Sequence, residues 1–210
     1  MLPPNLDELV SAPAPGFRCT AAGRESCGSF VARIRHILHP PASSRSLQSI
    51  RERLGVYARG AADFYRQHNG FVLYRDTLSD AAGFELLPAE QWNEATEDMR
   101  GWFGHLADDP ENDPDHIVTG IAIATVPHSG NYFVMPIEGP TAGKLFYADH
   151  DGWYESAFAE SFEDMLTRLT NDPVSLLNEV FGCYTRYSDG KTATQWIPEE
   201  YYPNVKRLTS

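Results

Sequence analysis

Phe146-Tyr147-Ala148-Asp149-His150-Asp151-Gly152-Trp153, leading into Ser161-Phe162-Glu163-Asp164-Met165-Leu166, reads as a strand, an acidic turn and a capped helix. The aromatic and small residues at 146–148 suit a buried strand, and Gly152 allows a tight turn after it. Ser161 with Asp164 three residues later is a capping box, and Phe162, Met165, Leu166 and Leu169 form the apolar stripe behind it. A matching piece lies earlier, Phe64-Tyr65-Arg66-Gln67-His68-Asn69-Gly70. It reads as the end of an amphipathic helix stopped by Asn-Gly, since glycine takes a left-handed conformation without steric cost.

Working outward, Ser44 or Ser46 can cap a helix through Leu47, Ile50 and Leu54. Gly55 interrupts it, and a second helix over 58–68 buries Ala61, Phe64 and Tyr65. Short strands are expected at 71–74 and 84–87, after which Pro88 opens a helix carrying Trp92, Ala95, Met99, Trp102 and Phe103. Core packing is the expected role of Trp92, Trp102, Phe162 and Met165. The segment 108–115, with two prolines among its acids, is expected to be a loop. Three strands follow at 117–124, 132–137 and 145–148, joined by turn-forming linkers that favour an antiparallel meander. One more helix is expected over 174–181, opened by Asp172-Pro173.

Six prolines in residues 1–43 suggest an irregular N-terminal extension, although 30–38 alternates well enough for a strand and also fits a short helix. The aromatic tail 183–210 is expected to pack back on the body. The organisation is therefore an extension (1–43), an α+β domain (44–182) and a C-terminal tail, within a length of 210 residues. That length suits one domain with additions, at ~100 to 200 residues per domain.

The net charge of −12 is unevenly placed. Residues 1–70 carry nine Arg against five acids (+4), and residues 71–210 carry eight basic against 24 acidic side chains (−16). Such an acidic body repels phosphate backbones and anionic lipid, which argues against nucleic acid and membranes as partners. The first residues lack the basic and apolar regions of a secretory signal, and the best apolar run, 121–126, is too short to span a bilayer. Cys19, Cys27 and Cys183 are odd in number and lack metal-site spacing, so reduced thiols and a cytoplasmic location are expected.

No motif commits the chain to chemistry. Asp149-His150-Asp151 invites a metal or acid–base reading, including a small metal-dependent hydrolase. Successive side chains of an extended segment point to opposite faces, however, so the three converge only through a tight turn. The acidic loop lacks the glycine and the bidentate Glu of a calcium loop. Cys183 with His68, His116 or His128 is a pairing that any chain of this composition offers. Phosphate-loop, dinucleotide and nucleophile-elbow motifs are absent from the sequence. The expectation is no catalytic residue, no metal and no cofactor.

The order of these pieces resembles the SUKH superfamily, which includes fungal cell-wall-synthesis regulators and bacterial immunity proteins. The likeness is carried by 47–54, Phe64-Tyr65 with Asn69-Gly70, Leu86-Leu87-Pro88, 146–151 and 158–166, and it covers about residues 44–170. It departs at 57–60, where relatives often carry Leu-Pro. The resemblance implies an α+β fold with a twisted, largely antiparallel sheet flanked by helices, and a protein-binding scaffold in place of an enzyme. It implies an immunity protein that neutralises a cognate toxin, often a nuclease, or a regulatory adaptor without a toxin partner. With the acidic body it points to a basic toxin domain. The expected contact residues are Asp109, Glu111, Asp113, Asp115, Asp149, Asp151 and Trp153, with acids for steering and an aromatic anchor.

Overall fold

The computed structural model describes residues 16–20, 29–76, 83–103, 115–127, 130–149, 152–153 and 156–171. Eight strands follow one another across one sheet in chain order: β1 (Gly16–Thr20), β2 (Ser29–Leu38), β3 (Phe71–Asp76), β4 (Phe84–Leu86), β5 (Gly120–Val126), β6 (Asn131–Pro136), β7 (Phe146–Asp149) and β8 (Gly152–Trp153). Every neighbouring pair is antiparallel, as the short polar linkers between β5, β6 and β7 require. The expected α+β architecture, a largely antiparallel sheet flanked by helices, is the one observed.

Among the described residues, five α-helices flank the sheet: α1 (Ser44–Leu54), α2 (Ala58–Tyr65), α3 (Trp92–Phe103), α4 (Asp115–Val118) and α5 (Phe162–Asn171). One face of the sheet builds the main core, in which Phe71, Phe84, Phe133 and Tyr147 meet Ile50, Leu54, Phe64, Tyr65 and Phe162 from α1, α2 and α5. The other face builds a smaller core, in which Ala122, Val134, Phe146 and Ala148 meet Met99 and Phe103 of α3 and Ile117 of α4. Burial on both faces explains why β5 and β6 are apolar almost throughout instead of alternating.

Two bulges keep the strands in phase with these cores. In β5, Ala122 pairs with Val134 and Ala124 with Phe133, which leaves Ile123 as the extra residue and turns Ile123 and Ala124 both toward the main core. In β3, Leu73 and Tyr74 together oppose His36, and Tyr74 takes φ 60°. The Tyr74 hydroxyl donates to the Leu169 carbonyl at 2.6 Å, so the bulge is tied to the last turn of α5.

Helix ends differ from the sequence reading in informative ways. The cap of α1 is Ser43, whose extended backbone lets its Oγ accept the Ser46 N–H at 3.1 Å. Helix α2 stops at Tyr65, before Asn69-Gly70. The glycine is needed for a different reason. At φ 93°, a Cβ on Gly70 would lie 2.2 Å from the Leu86 carbonyl oxygen, where β3 starts against the end of β4. Pro88 precedes a 3-10 turn (Ala89–Gln91), and α3 begins only at Trp92. Within α3, Trp92, Thr96, Met99 and Phe103 are buried, whereas Trp102 is 49% exposed and does not serve the core.

Residues 115–118 form a helical turn in place of the expected loop end and strand start, and the strand begins at Gly120. The chain passes so close there that a Cβ on Gly120 would meet the His116 carbonyl oxygen at 1.9 Å. The Ser161 cap of α5 forms as read, with Ser161 Oγ accepting the Asp164 N–H at 3.1 Å, while Asp164 reaches back one residue beyond the cap to the Glu160 N–H at 3.0 Å. Residues 108–114, 174–181 and 183–210, for which a loop, a helix and a packed tail were expected, lie outside the described residues.

Candidate interaction surface

Helix α3 is held to the sheet on one side and presents acids on the other. Thr96 is the hinge of this arrangement. Its Oγ1 donates to the Trp92 carbonyl at 2.6 Å and accepts the Ala122 N–H at 3.0 Å, which pins the helix beside the β5 bulge. On the far flank, Arg100 donates to the Val118 carbonyl at 3.1 Å. Glu94, Glu97 and Asp98 remain exposed, following Glu90 in the preceding turn.

Between α3 and the ends of β5 and β6 lies an open cleft of about 480 Å³. Gln91, Glu94 and Asp98 form its helix wall, and the cross-strand pair Thr125 and Tyr132 forms the sheet wall. The Tyr132 hydroxyl donates to the Asp98 carboxylate. Burial, and then the Asp98 carboxylate, push the Tyr132 ionisation far above its ordinary value, so this phenol stays a donor at neutral pH and orients an acceptor at the cleft mouth.

A second polar cluster clasps the corner where α1, β3 and α3 meet. The Asn69 amide donates to Glu90 at 2.8 Å while its oxygen accepts the Ala89 N–H at 3.1 Å. Ser46 Oγ donates to the other oxygen of Glu90. Hydrogen bonds to Ser46 and Asn69 hold the Glu90 carboxyl below its usual range against the opposing effect of partial burial, which is the larger single contribution. His39 Nδ1 donates to the Asn69 carbonyl at 3.2 Å, and His68 Nδ1 to the His39 carbonyl at 3.0 Å. Both imidazoles are thus committed to backbone, and the cluster fixes the corner of the fold.

Of the expected contact residues, Asp109, Glu111, Asp113 and Asp151 lie outside the described residues, as do His150 and Cys183. Asp115 opens α4, whose next residue, His116, stacks on Phe146 with ring centroids 4.3 Å apart. Asp149 ends β7, half-buried, opposite Gly152, while Trp153 pairs with Ala148. Phe146 and Ala148 face the smaller core, so Asp149 alternates onto the Tyr147 face, opposite the one on which α4 packs. Among the described residues, no group of three or more His, Cys, Asp or Glu is placed to hold a metal ion, and no helix is long and apolar enough to cross a membrane.

The acidic cleft was not singled out from the sequence. Its signal is the spacing of Gln91, Glu94 and Asp98 beside the buried stripe, which becomes meaningful only when Tyr132 is known to sit opposite.

A sequence model of the SMI1 / KNR4 family (SUKH-1) matches residues 41–168, well over half of the chain, from just before α1 into α5. No curated protein matches closely enough to count as a relative. The matched span includes the smaller core, all of the main core but Leu169 among its buried residues, and the α3 surface, and the match supports an immunity or regulatory protein-binding role. The chain belongs to the SMI1 / KNR4 (SUKH-1) family.

Proposed function

We propose that this protein is a non-enzymatic immunity protein that binds a cognate toxin domain in the cytoplasm and blocks it. Family membership over residues 41–168 is the observation that carries this reading. The charge distribution supports the partner's chemistry, since residues 71–210 carry a formal −16 and a nuclease domain is basic where it holds nucleic acid. Opposite charge steers encounter and raises the association rate, while a central aromatic supplies the anchor. In this reading Asp109, Glu111, Asp113 and Asp115 steer the toxin, with Asp149, Asp151 and Trp153 as further contacts.

The experiment is stopped-flow association of the full chain with the product of the open reading frame beside its gene, where the reading expects a toxin domain. Replacing Asp109, Glu111, Asp113 and Asp115 together by Asn or Gln is expected to slow association ~10-fold at low salt and to flatten its salt dependence. Unchanged kinetics would remove this segment from the interface.

A further inference from the structure

We propose that Arg53 of α1 and Arg100 of α3 form an anion site, in which the two guanidiniums clamp a carboxylate side chain of a partner protein. The site goes beyond the toxin reading and does not rest on it.

The ring beneath Arg53 is a rigid platform. Trp92 is fully buried, its Nε1 donates to the Leu87 carbonyl at 3.3 Å, and Tyr65 meets it edge-on with centroids 5.4 Å apart. The half-buried Arg53 guanidinium lies over this ring, 5.6 Å from its centroid. A guanidinium held by its face keeps its edge of N–H donors for another group. Among the described residues, no hydrogen bond or ion pair takes up those donors. The adjacent acid, Glu52, accepts instead from Gln48 one turn back, at 2.7 Å.

Arg100 supplies the second half. Its Nη2 donates to the Val118 carbonyl at 3.1 Å and lies 3.5 Å from the Gly120 carbonyl, so backbone on both sides of the junction between α4 and β5 fixes the guanidinium. Nη1 and Nε are left as donors, and Glu97, three residues earlier, forms no ion pair with it. Burial, and then the nearby charge of Arg100, lower the Arg53 pKa. Two cations, one of them half-buried, thus lie near each other without a paired acid, in a chain whose net charge is −12. Their repulsion is relieved when an anion enters, and a planar carboxylate accepts a bond on each oxygen. Val118, 53% exposed beside the carbonyl that holds Arg100, gives an apolar wall for the methylenes of an Asp or Glu side chain. The acidic body repels a polyanion such as nucleic acid, which leaves a single carboxylate on a protein as the ligand that fits.

Two measurements on the full chain test this. In the first, 15N-labelled protein is titrated with acetyl-Glu-Leu-Glu-amide, with the uncharged acetyl-Gln-Leu-Gln-amide and with inorganic phosphate. The Glu peptide is expected to shift the Nε–H signals of Arg53 and Arg100, the Trp92 indole N–H and the amides of residues 118–120, and the Gln peptide to shift none of them. Affinity for the Glu peptide is expected to fall about fivefold or more in R53Q and in R100Q, and to be unchanged in R45Q, which removes an exposed arginine from the same helix. Shifts shared by the Gln peptide, spread evenly over the exposed arginines or retained in R53Q would overturn the proposal. Tighter binding of phosphate than of the Glu peptide would overturn the carboxylate assignment.

The second measurement, thermal melting, separates a ligand site from a purely structural contact. Because Arg53 faces a like charge, R53Q is expected to melt within about 2 °C of wild type, and the Glu peptide to raise the Tm of wild type but not of R53Q. A large loss of Tm in R53Q, together with no effect of the peptide on wild type, would make Arg53 only a cover for Trp92 and overturn the proposal. R53K keeps the stem and the charge but not the fork, so its affinity for the Glu peptide is expected to fall about twofold or more even where R53Q is too unstable to titrate. Undiminished affinity in R53K would contradict the clamp.

Discussion

His36 shows how a single side chain supports an irregular strand. Opposite the Leu73-Tyr74 bulge, its Nδ1 accepts the Tyr74 N–H at 3.1 Å, and its ring meets the Tyr74 ring edge-on with centroids 5.0 Å apart. A left-handed tyrosine is costly, and this acceptor, together with the bond from the Tyr74 hydroxyl to Leu169, holds it in place. Acceptance at Nδ1 requires the neutral ring, and burial lowers the His36 pKa from 6.5 to about 4. The folded state thus resists a proton that the unfolded chain takes up near pH 6.5. Stability from this group is complete above that pH and is lost as pH falls toward 4. At pH 5 the loss relative to pH 7.5 is about 1 to 2 kcal/mol once partial exposure is allowed for. Urea unfolding at both pH values should show wild type losing that much more than His36→Gln, whose amide oxygen accepts the same N–H without titrating. Equal losses would contradict the account.

At the scale of elements, the ends of helices are set by a few local donors and acceptors. Ser161→Ala removes the acceptor of the Asp164 N–H and should cost about 1 kcal/mol in urea unfolding, with Ser161→Asp recovering most of it. No change in Ser161→Ala would mean that packing of Phe162 and Met165 alone sets the start of α5. Local chemistry of this kind is legible in sequence, which is why the α5 cap and stripe and the meander of β5 to β7 follow from residue order. Features decided by distant contacts are harder to read. Ile117 belongs to a short apolar run that periodicity cannot assign to helix or strand. The Ile123 bulge answers a core assembled from both faces of the sheet. Trp102 was readable in principle: ten residues after Trp92, it lies about 80° around the helix from it, whereas Phe103 comes back within about 20°. Asn69-Gly70 reads from sequence as a helix stop, but its work, joining Glu90, Ala89 and His39, depends on residues up to 30 positions away.

On the scale of the whole molecule, a sheet covered on both faces leaves recognition to helix surfaces and loops. Charge is divided among the described elements. Helices α1 and α2, with the residue that caps α2, expose Arg45, Arg51, Arg59 and Arg66, beside Val56 at 88% exposure, while the turn before α3 and α3 itself expose Glu90, Glu94, Glu97 and Asp98. The net acidity of the body was therefore legible in the sequence. Its concentration at α3 was not, because Tyr132 and Thr125 reach the cleft from strands more than 25 residues further along the chain.

The central claim, that this protein protects by binding, is tested most directly by growth. The product of the open reading frame next to this gene is expressed from an inducible promoter in a sensitive host, with and without the full chain, and the colonies are counted. The account predicts growth arrest by the toxin alone, rescue by the wild-type chain, and co-purification of the two proteins as a stable complex. Arrest that persists with the chain folded and abundant, and no complex on purification, would contradict it.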